Sequence, residues 1–171
     1  MTDAFVIRAA TIDDADLIAR QRVAMWVDMG VATPDVVTHL HHDCTTAIAG
    51  HLKTGAYVGW LAAQADAPGA VVGGAGVHFR HVLPLPVRGH DGITRVEPGR
   101  HPTVVNVYTE PTHRRRGVAR LLMLRVIDWA VAEGLTTLFL HATPEGRGLY
   151  ASLGFAPTGD MRLDLRGRPR V

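Results

Sequence analysis

The stretch from Val104 to Leu122, VVNVYTEPTHRRRGVARLL, holds the residue types and spacing of this 171-residue chain that most directly suggest chemistry. A β-branched run meets Pro111, then a basic turn with Arg114, Arg115 and Arg116, then Gly117 and a run with helical apolar spacing. A helix start presents unpaired backbone N–H groups and the positive end of a dipole, so it binds anions. Gly117 has no Cβ, which lets backbone approach a bulky anion closely, and Ala119 is small. The three arginines add charge around the mouth. The arrangement predicts a phosphate or pyrophosphate cradle at the end of a strand. It has neither the GxxxxGK[ST] of a P-loop nor the GxGxxG of a dinucleotide fold. A solvated basic turn is the competing reading of the same residues.

Other clusters carry less. Cys44 is the single cysteine, which excludes an internal disulfide and a CxxC site and fits a reducing cytoplasm. Its surroundings read as the buried face of a helix rather than a nucleophile's pocket. His39, His42 and Asp43 share a helix face at i, i+3 and i+4, a spacing that could hold a metal. Such faces are ordinarily solvated, and no metal is expected. A nucleic-acid binder using Thr112 to Arg116 is a further alternative, though the run lacks interleaved aromatics for single strands and a broad basic face for duplexes.

The elements around the cradle follow from periodicity and punctuation. Phe5 to Ala9 reads as a strand, and Thr11 with Asp14 as a capping box. A helix then runs to about Met29 with Leu17, Ile18, Met25 and Met29 inward, stopped by Gly30. Thr33-Pro34-Asp35 starts a second helix carrying Val37, Leu40, Cys44 and Ile48, ended by Gly55. Tyr57 to Ala65 and Ala70 to Phe79 read as strands joined by a hairpin at residues 66–69. Residues 83–102, with four prolines and three glycines, read as a long loop, a feature that is usually functional. Then come a strand from Thr103 to Thr109, a helix from about Gly117 to Ala132 with Val118, Leu121, Leu122, Val126 and Trp129 inward, and a strand from Leu135 to Ala142. A short helix from Glu145 to Leu153 and strands at 155–156 and 161–165 close the chain. The order β-α-α-β-β-β-α-β-α-β-β predicts a mixed-sheet α/β fold with a βαβ crossover over residues 103–142.

Composition sets the outer bounds. A length of 171 residues fits a single domain that can bury a core unaided, and 47% hydrophobic with 20% charged residues excludes disorder. The longest run without an ionised side chain, Ala67 to Phe79, contains Pro68 and four glycines and is too short to span a membrane. Residues 1–16 carry four aspartates and no apolar core, so no secretory signal is expected there. A net charge of +2 forces no polyanionic partner. Only Lys53 among the eighteen basic residues is a lysine, and Asn106 is the only asparagine, which reads as GC-rich codon bias.

Two motifs resemble those of the GNAT superfamily of acyl-CoA-dependent N-acyltransferases. Arg114-x-x-Gly117-x-Ala119 matches its Q/R-x-x-G-x-G/A signature, in the usual frame of strand, proline, two residues, signature and helix. Leu149-Tyr150-Ala151-Ser152-Leu153-Gly154-Phe155 is similar to its L-Y-x-x-L-G-F. Spacing and element order agree over nearly the whole chain. The resemblance implies a GNAT-like fold and acetyl-CoA as co-substrate. It assigns the CoA pyrophosphate to the Arg114 signature, with backbone N–H groups of Arg115, Arg116, Gly117, Val118, Ala119 and Arg120. The pantetheine arm falls to the backbone of Val107, Tyr108 and Thr109, with a bulge that splays this strand from the next, and an oxyanion donor near Tyr108 or Thr109. Tyr150 is implied as the acid that protonates the departing thiolate. The family commonly has Asn and Ala where this chain has Thr143 and Gly146, and Thr143-Pro144 reads as a helix cap instead.

For the general base, Glu110 beside the cradle and His141 at the end of the splayed strand are the candidates, with a water chain as the alternative. Trp26 and Asp28 lie where the first helix approaches the family's acceptor slot. The expectation is a cytoplasmic N-acetyltransferase that moves acetyl to a small-molecule or protein amine in a ternary complex. Neither nucleic acid nor membrane is expected as a partner, and a homodimer fits the family. The alternative is a catalytically silent acyl-CoA-binding module. The acceptor lies with the variable helices and the loop at 83–102.

Overall fold

The computed structural model describes residues 4–88 and 91–159. Its residues form two compact units, Met1–His141 and Ala142–Val171. In the first, β1 (Phe5–Ala9) leads through a short 3-10 turn into α1 (Ala15–Asp28) and α2 (Pro34–Thr54). Then follow β2 (Tyr57–Gln64), β3 (Ala67–His81), β4 (Leu85–Arg88), β5 (Thr94–Glu97), β6 (Arg100–Thr109), α3 (Val118–Ala132) and β7 (Phe139–Leu140). The main sheet has the order β1-β2-β3-β6-β7, antiparallel throughout except for the parallel β6–β7 pair that the α3 crossover requires.

The start signals behave as their chemistry dictates. Asp14 accepts from the Thr11 N–H at 2.8 Å, completing the capping box, and forms a two-pronged pair with Arg8 at 2.7 Å. That guanidinium is the main reason the Asp14 carboxyl is held down to about 2. Pro34 takes the first turn of α2, and Gly55 ends it at φ +72°. Leu17, Ile18 and Met25 face inward to differing degrees, but Met29 is 44% exposed. It lies just past the last turn of α1, where the chain already bends at Gly30 (φ +68°).

Helices cover both faces of the sheet. Beneath α1 and α2, Ala15, Ile18, Ala19 and Ile48 pack with Tyr57 and Leu61, and half-buried Cys44 joins this cluster. On the other face α3 brings Trp129 against Trp60, with ring centroids 5.1 Å apart, and against Phe79. The glycines of β3 make both approaches possible. A Cβ on Gly73 would stand 2.7 Å from the Tyr108 carbonyl and 3.0 Å from Val118, so α3 could not begin where it does. A Cβ on Gly76 would overlap the Tyr57 hydroxyl on the opposite face.

Several boundaries differ from the sequence reading. The hairpin between β2 and β3 turns at Ala65-Asp66 rather than at 66–69, because register shifts near Ala63 let Ala67 pair with Gln64 and extend β3 through Pro68 and Gly69. Residues 83–102 are not a structureless loop. β4 and β5 pair as a separate two-stranded ribbon and β6 begins at Arg100. Pro86 sits in a two-stranded ribbon with free edges, and Pro102 pairs with Phe79 just ahead of the β6–β7 pairing, places where a missing N–H is tolerated. The strand expected over 135–142 shrinks to Phe139–Leu140, paired with Thr103 and Val104. In the second unit, α4 (Arg147–Ser152) is shorter than the helix expected from Glu145, and 155–156 are not a strand. The strand expected over 161–165 lies outside the described residues.

Candidate active site

β6 ends at Thr109, and the Glu110 N–H still reaches the Val72 carbonyl at 2.8 Å. Pro111 then turns the chain through a 3-10 turn to His113. Arg114 is extended (φ −64°, ψ 156°), Arg115 is left-handed at φ +61°, and Gly117 is left-handed at φ +87° immediately before α3. An alternation of this kind curls successive amide groups toward one point, the geometry of an anion-binding nest. The first bond of α3 runs from Leu121 N–H to Gly117 O at 3.0 Å, so the amides of Val118 and Ala119 have no acceptor inside the helix. A Cβ built on Gly117 meets nothing within 4 Å. The space before it is open, and α3 carries no acidic side chain in its first turn to repel an anion. A pyrophosphate-bearing ligand fits these residues.

The arginines divide their work. Arg114 points away from the nest: its Nε donates to the Thr109 carbonyl at 3.1 Å, and its Nη2 pairs with Asp28 at the end of α1. Its charge is compensated there, contrary to the expectation that all three arginines face the mouth. Arg116 lies 5.3 Å from the Phe5 ring, and Arg115 is exposed.

Upstream, β6 carries the bulge. Gly76 pairs with Val105 and Gly74 with Tyr108, so Asn106 and Val107 of β6 oppose the single residue Ala75 of β3. Asn106 sits in the bulge at φ +57°, a conformation that asparagine tolerates better than most residues. Its side chain is locked: Oδ1 accepts from Arg22 of α1 at 2.7 Å, and Nδ2 donates to the Tyr57 hydroxyl at 3.3 Å. Burial pushes the Tyr57 phenol up to about 12, so it stays protonated. Because β7 pairs only with Thr103 and Val104, the stretch holding Val107, Tyr108 and Thr109 faces an edge that β7 leaves open. An extended backbone with an open hydrogen-bonding edge results. His141 follows the end of β7 and is exposed.

Glu110 is more enclosed than a strand-end Glu-Pro suggests. Its carboxylate accepts a pair from Arg20 of α1 at 3.0 Å and lies 3.5 Å from the Tyr108 hydroxyl, the outer limit of a hydrogen bond. Burial first, then the carboxylates of Glu110 and Asp28, raise the Tyr108 phenol. Trp26 is half-buried under the Arg22 guanidinium at 5.5 Å. Glu110, Tyr108, Asp28, Arg114 and Arg20 thus form one linked polar group where α1 meets the end of β6.

Within the second unit, Tyr150 is half-buried on α4 with its ring edge-on to Phe155, centroids 6.0 Å apart. Burial raises its phenol above the ordinary value. Thr143 Oγ1 accepts from the Gly146 N–H at 3.3 Å, which closes the turn ahead of α4; the cap position of the helix is Gly146, not Thr143 as the sequence suggests. The glycine at 146 also has a reason: a Cβ there would stand 2.8 Å from the Tyr150 ring. His39 pairs with Asp43 at 3.3 Å on an exposed face.

The sequence reading gives Asn106, Arg22 and Tyr57 no role at the site. The signal available was Asn106 itself, the sole asparagine of the chain, set inside the β-branched run VVNVY.

Comparison with known proteins agrees with the fold. Residues 24–155 match the sequence model of the Acetyltransferase (GNAT) family. A GCN5-related N-acetyltransferase from Ralstonia eutropha JMP134 is similar at 28% identity and a TM-score of 0.79, covering 95% of this chain and 99% of that one. A predicted acetyltransferase from Clostridium acetobutylicum, solved with acetyl-CoA, shares the fold at 24% identity and a TM-score of 0.76, covering 97% and 99%. A ribosomal-protein-alanine N-acetyltransferase from Brucella melitensis biovar Abortus 2308 shares it at 18% identity and a TM-score of 0.63, covering 96% and 100%. A search of curated proteins finds no match. Among the described residues, no helix is long and apolar enough to cross a membrane.

Proposed function

The chain belongs to the GNAT acetyltransferase family, and on that premise we propose that it is a single N-acetyltransferase domain moving acetyl from acetyl-CoA to a primary amine by direct attack. The observation that carries the proposal is the left-handed Arg115–Gly117 turn opening onto free space at the end of a strand that β7 leaves unpaired.

Bound acetyl-CoA supplies an activated acyl group as its thioester. The chain's own residues do the rest. The nest from Arg115 to Arg120, including Val118 and Ala119, holds the pyrophosphate through backbone amides. The backbone of Val107, Tyr108 and Thr109 aligns the arm, and an N–H of this stretch polarises the acyl oxygen. The acceptor must lose a proton to attack. Glu110 is the better-held base, because Arg20 fixes its carboxylate, whereas His141 stands exposed beyond β7. Tyr150 donates to the sulfur as the C–S bond breaks. The lone Cys44 supports a reducing, cytoplasmic setting.

Turnover tests the proposal. Purified protein with acetyl-CoA and a panel of primary amines is expected to release one thiol per acetyl group transferred, above the fixed background of Cys44. Tight acetyl-CoA binding with no amine-dependent thiol would leave the silent acyl-CoA-binding module as the better reading.

A further inference from the structure

One face of the β3–β6 pair, beneath α1 and α2, gathers positive charge without counter-charge. Arg22 of α1 is half-buried, with its Nη1 on Asn106 at 2.7 Å and its plane 5.5 Å from the Trp26 ring. Further along β3, Arg80 donates from Nε to the buried Thr103 hydroxyl at 3.1 Å. Between them stands His78, opposite both Tyr57 and Thr103 in register, stacked on His51 of α2 with centroids 4.7 Å apart and 16° between planes. Burial, then His51, Arg80 and Arg22, push the His78 imidazole below its ordinary value.

The nearby acids are engaged elsewhere. Asp28 pairs with Arg114, Glu110 with Arg20, Asp16 with His41, and Asp14 with Arg8. Among the described residues neither Arg22 nor Arg80 forms an ion pair with a carboxylate. A half-buried guanidinium whose hydrogen-bond partner among the described residues is a neutral amide keeps further N–H donors for an anion. Arg22 is also held in plane, by Asn106 on one edge and Trp26 on one face, which suits it to a planar, two-oxygen anion.

We propose that Arg22, Arg80 and His78 form an anion subsite in the acceptor slot, and that the amine acetylated by this protein carries a carboxylate. The subsite lies at the β6 bulge, next to Val107, and it deepens the N-acetyltransferase reading on which its place in catalysis rests.

Binding of N-acetyl-L-amino acids, compared with the matching carboxamides by calorimetry, tests the subsite without needing turnover. At least one acid is expected to bind about tenfold or more tighter than its amide, the effect of one good charged hydrogen-bond pair. Arg22→Gln is expected to abolish that preference, and Arg22→Lys to restore part of it. Arg80→Gln, at an exposed position that does not touch Asn106, is expected to shift the preference in the same direction. It keeps the test valid if Arg22→Gln disturbs the fold. Equal binding of acids and amides, no acid bound at 10 mM (about the weakest range calorimetry resolves), or a preference that survives both substitutions would overturn the subsite. A phosphorylated amine bound tighter than every carboxylated one would overturn the carboxylate assignment. Failure of the enzyme reading would look different: the preference for acids would persist, but acetyl-CoA would not bind.

Discussion

Gly117→Val is expected to weaken acetyl-CoA binding by about 30–100-fold, equivalent to roughly 2–3 kcal/mol. Two costs converge at this position. A β-branched residue at φ +87° is a backbone outlier, costing about 1–2 kcal/mol if the turn keeps its shape. The added side chain would also project into the open space before the nest, where a pyrophosphate must come close to backbone amides. If the turn relaxes instead, the amides of Val118 and Ala119 lose their common direction. Gly117→Ala lessens the second effect, because its single Cβ meets no protein atom within 4 Å and reaches less far into that space than valine. Calorimetric titration of both variants, with melting temperatures to confirm folding, reads the outcome. Wild-type affinity in the valine variant would defeat the assignment of the cradle.

Tyr150→Phe is expected to lower kcat by about 10–100-fold with little change in acetyl-CoA affinity, the pattern of an interaction made in the transition state rather than in binding. Burial raises the Tyr150 phenol, so it is protonated at neutral pH and able to donate. A thiol of pKa ~8.5 is a stronger acid than such a phenol, so Tyr150 chiefly donates a hydrogen bond to the developing thiolate and does not leave as a stable phenolate. That places the expected loss nearer the lower end of the range. The ring's packing on Phe155 and over Gly146 is kept by phenylalanine, so the loss reports the hydroxyl. An unchanged kcat, measured where chemistry limits turnover, would remove Tyr150 as the acid.

Local chemistry made much of this architecture readable. Thr11 with Asp14, and Pro34 followed at a distance by Gly55, mark the helices because caps and stops act within a few residues. The Arg114–Gly117 turn was legible for the same reason. What escaped depends on contacts distant in sequence. The β4–β5 ribbon pairs Pro86 with the exposed Val96, residues that look like loop until a partner strand lies beside them. Phe139–Leu140 is short because its neighbour β6 bulges away after Val104. The bulge itself rests on Asn106 meeting Arg22 eighty-four positions earlier and Tyr57 forty-nine positions earlier, a join that no local pattern announces. Arg114 likewise meets Asp28 only once α1 has docked against the end of β6.

The central claim is a working acetyl-CoA site in a chain that transfers acetyl groups. Its most direct test is calorimetric titration of the wild-type protein with acetyl-CoA, with CoA lacking the 3′-phosphate as the comparison. A dissociation constant in the micromolar range, about −8 kcal/mol, is the predicted result. No heat and no thermal stabilisation at millimolar acetyl-CoA would contradict it, leaving the nest to another anion and the transferase reading without its co-substrate.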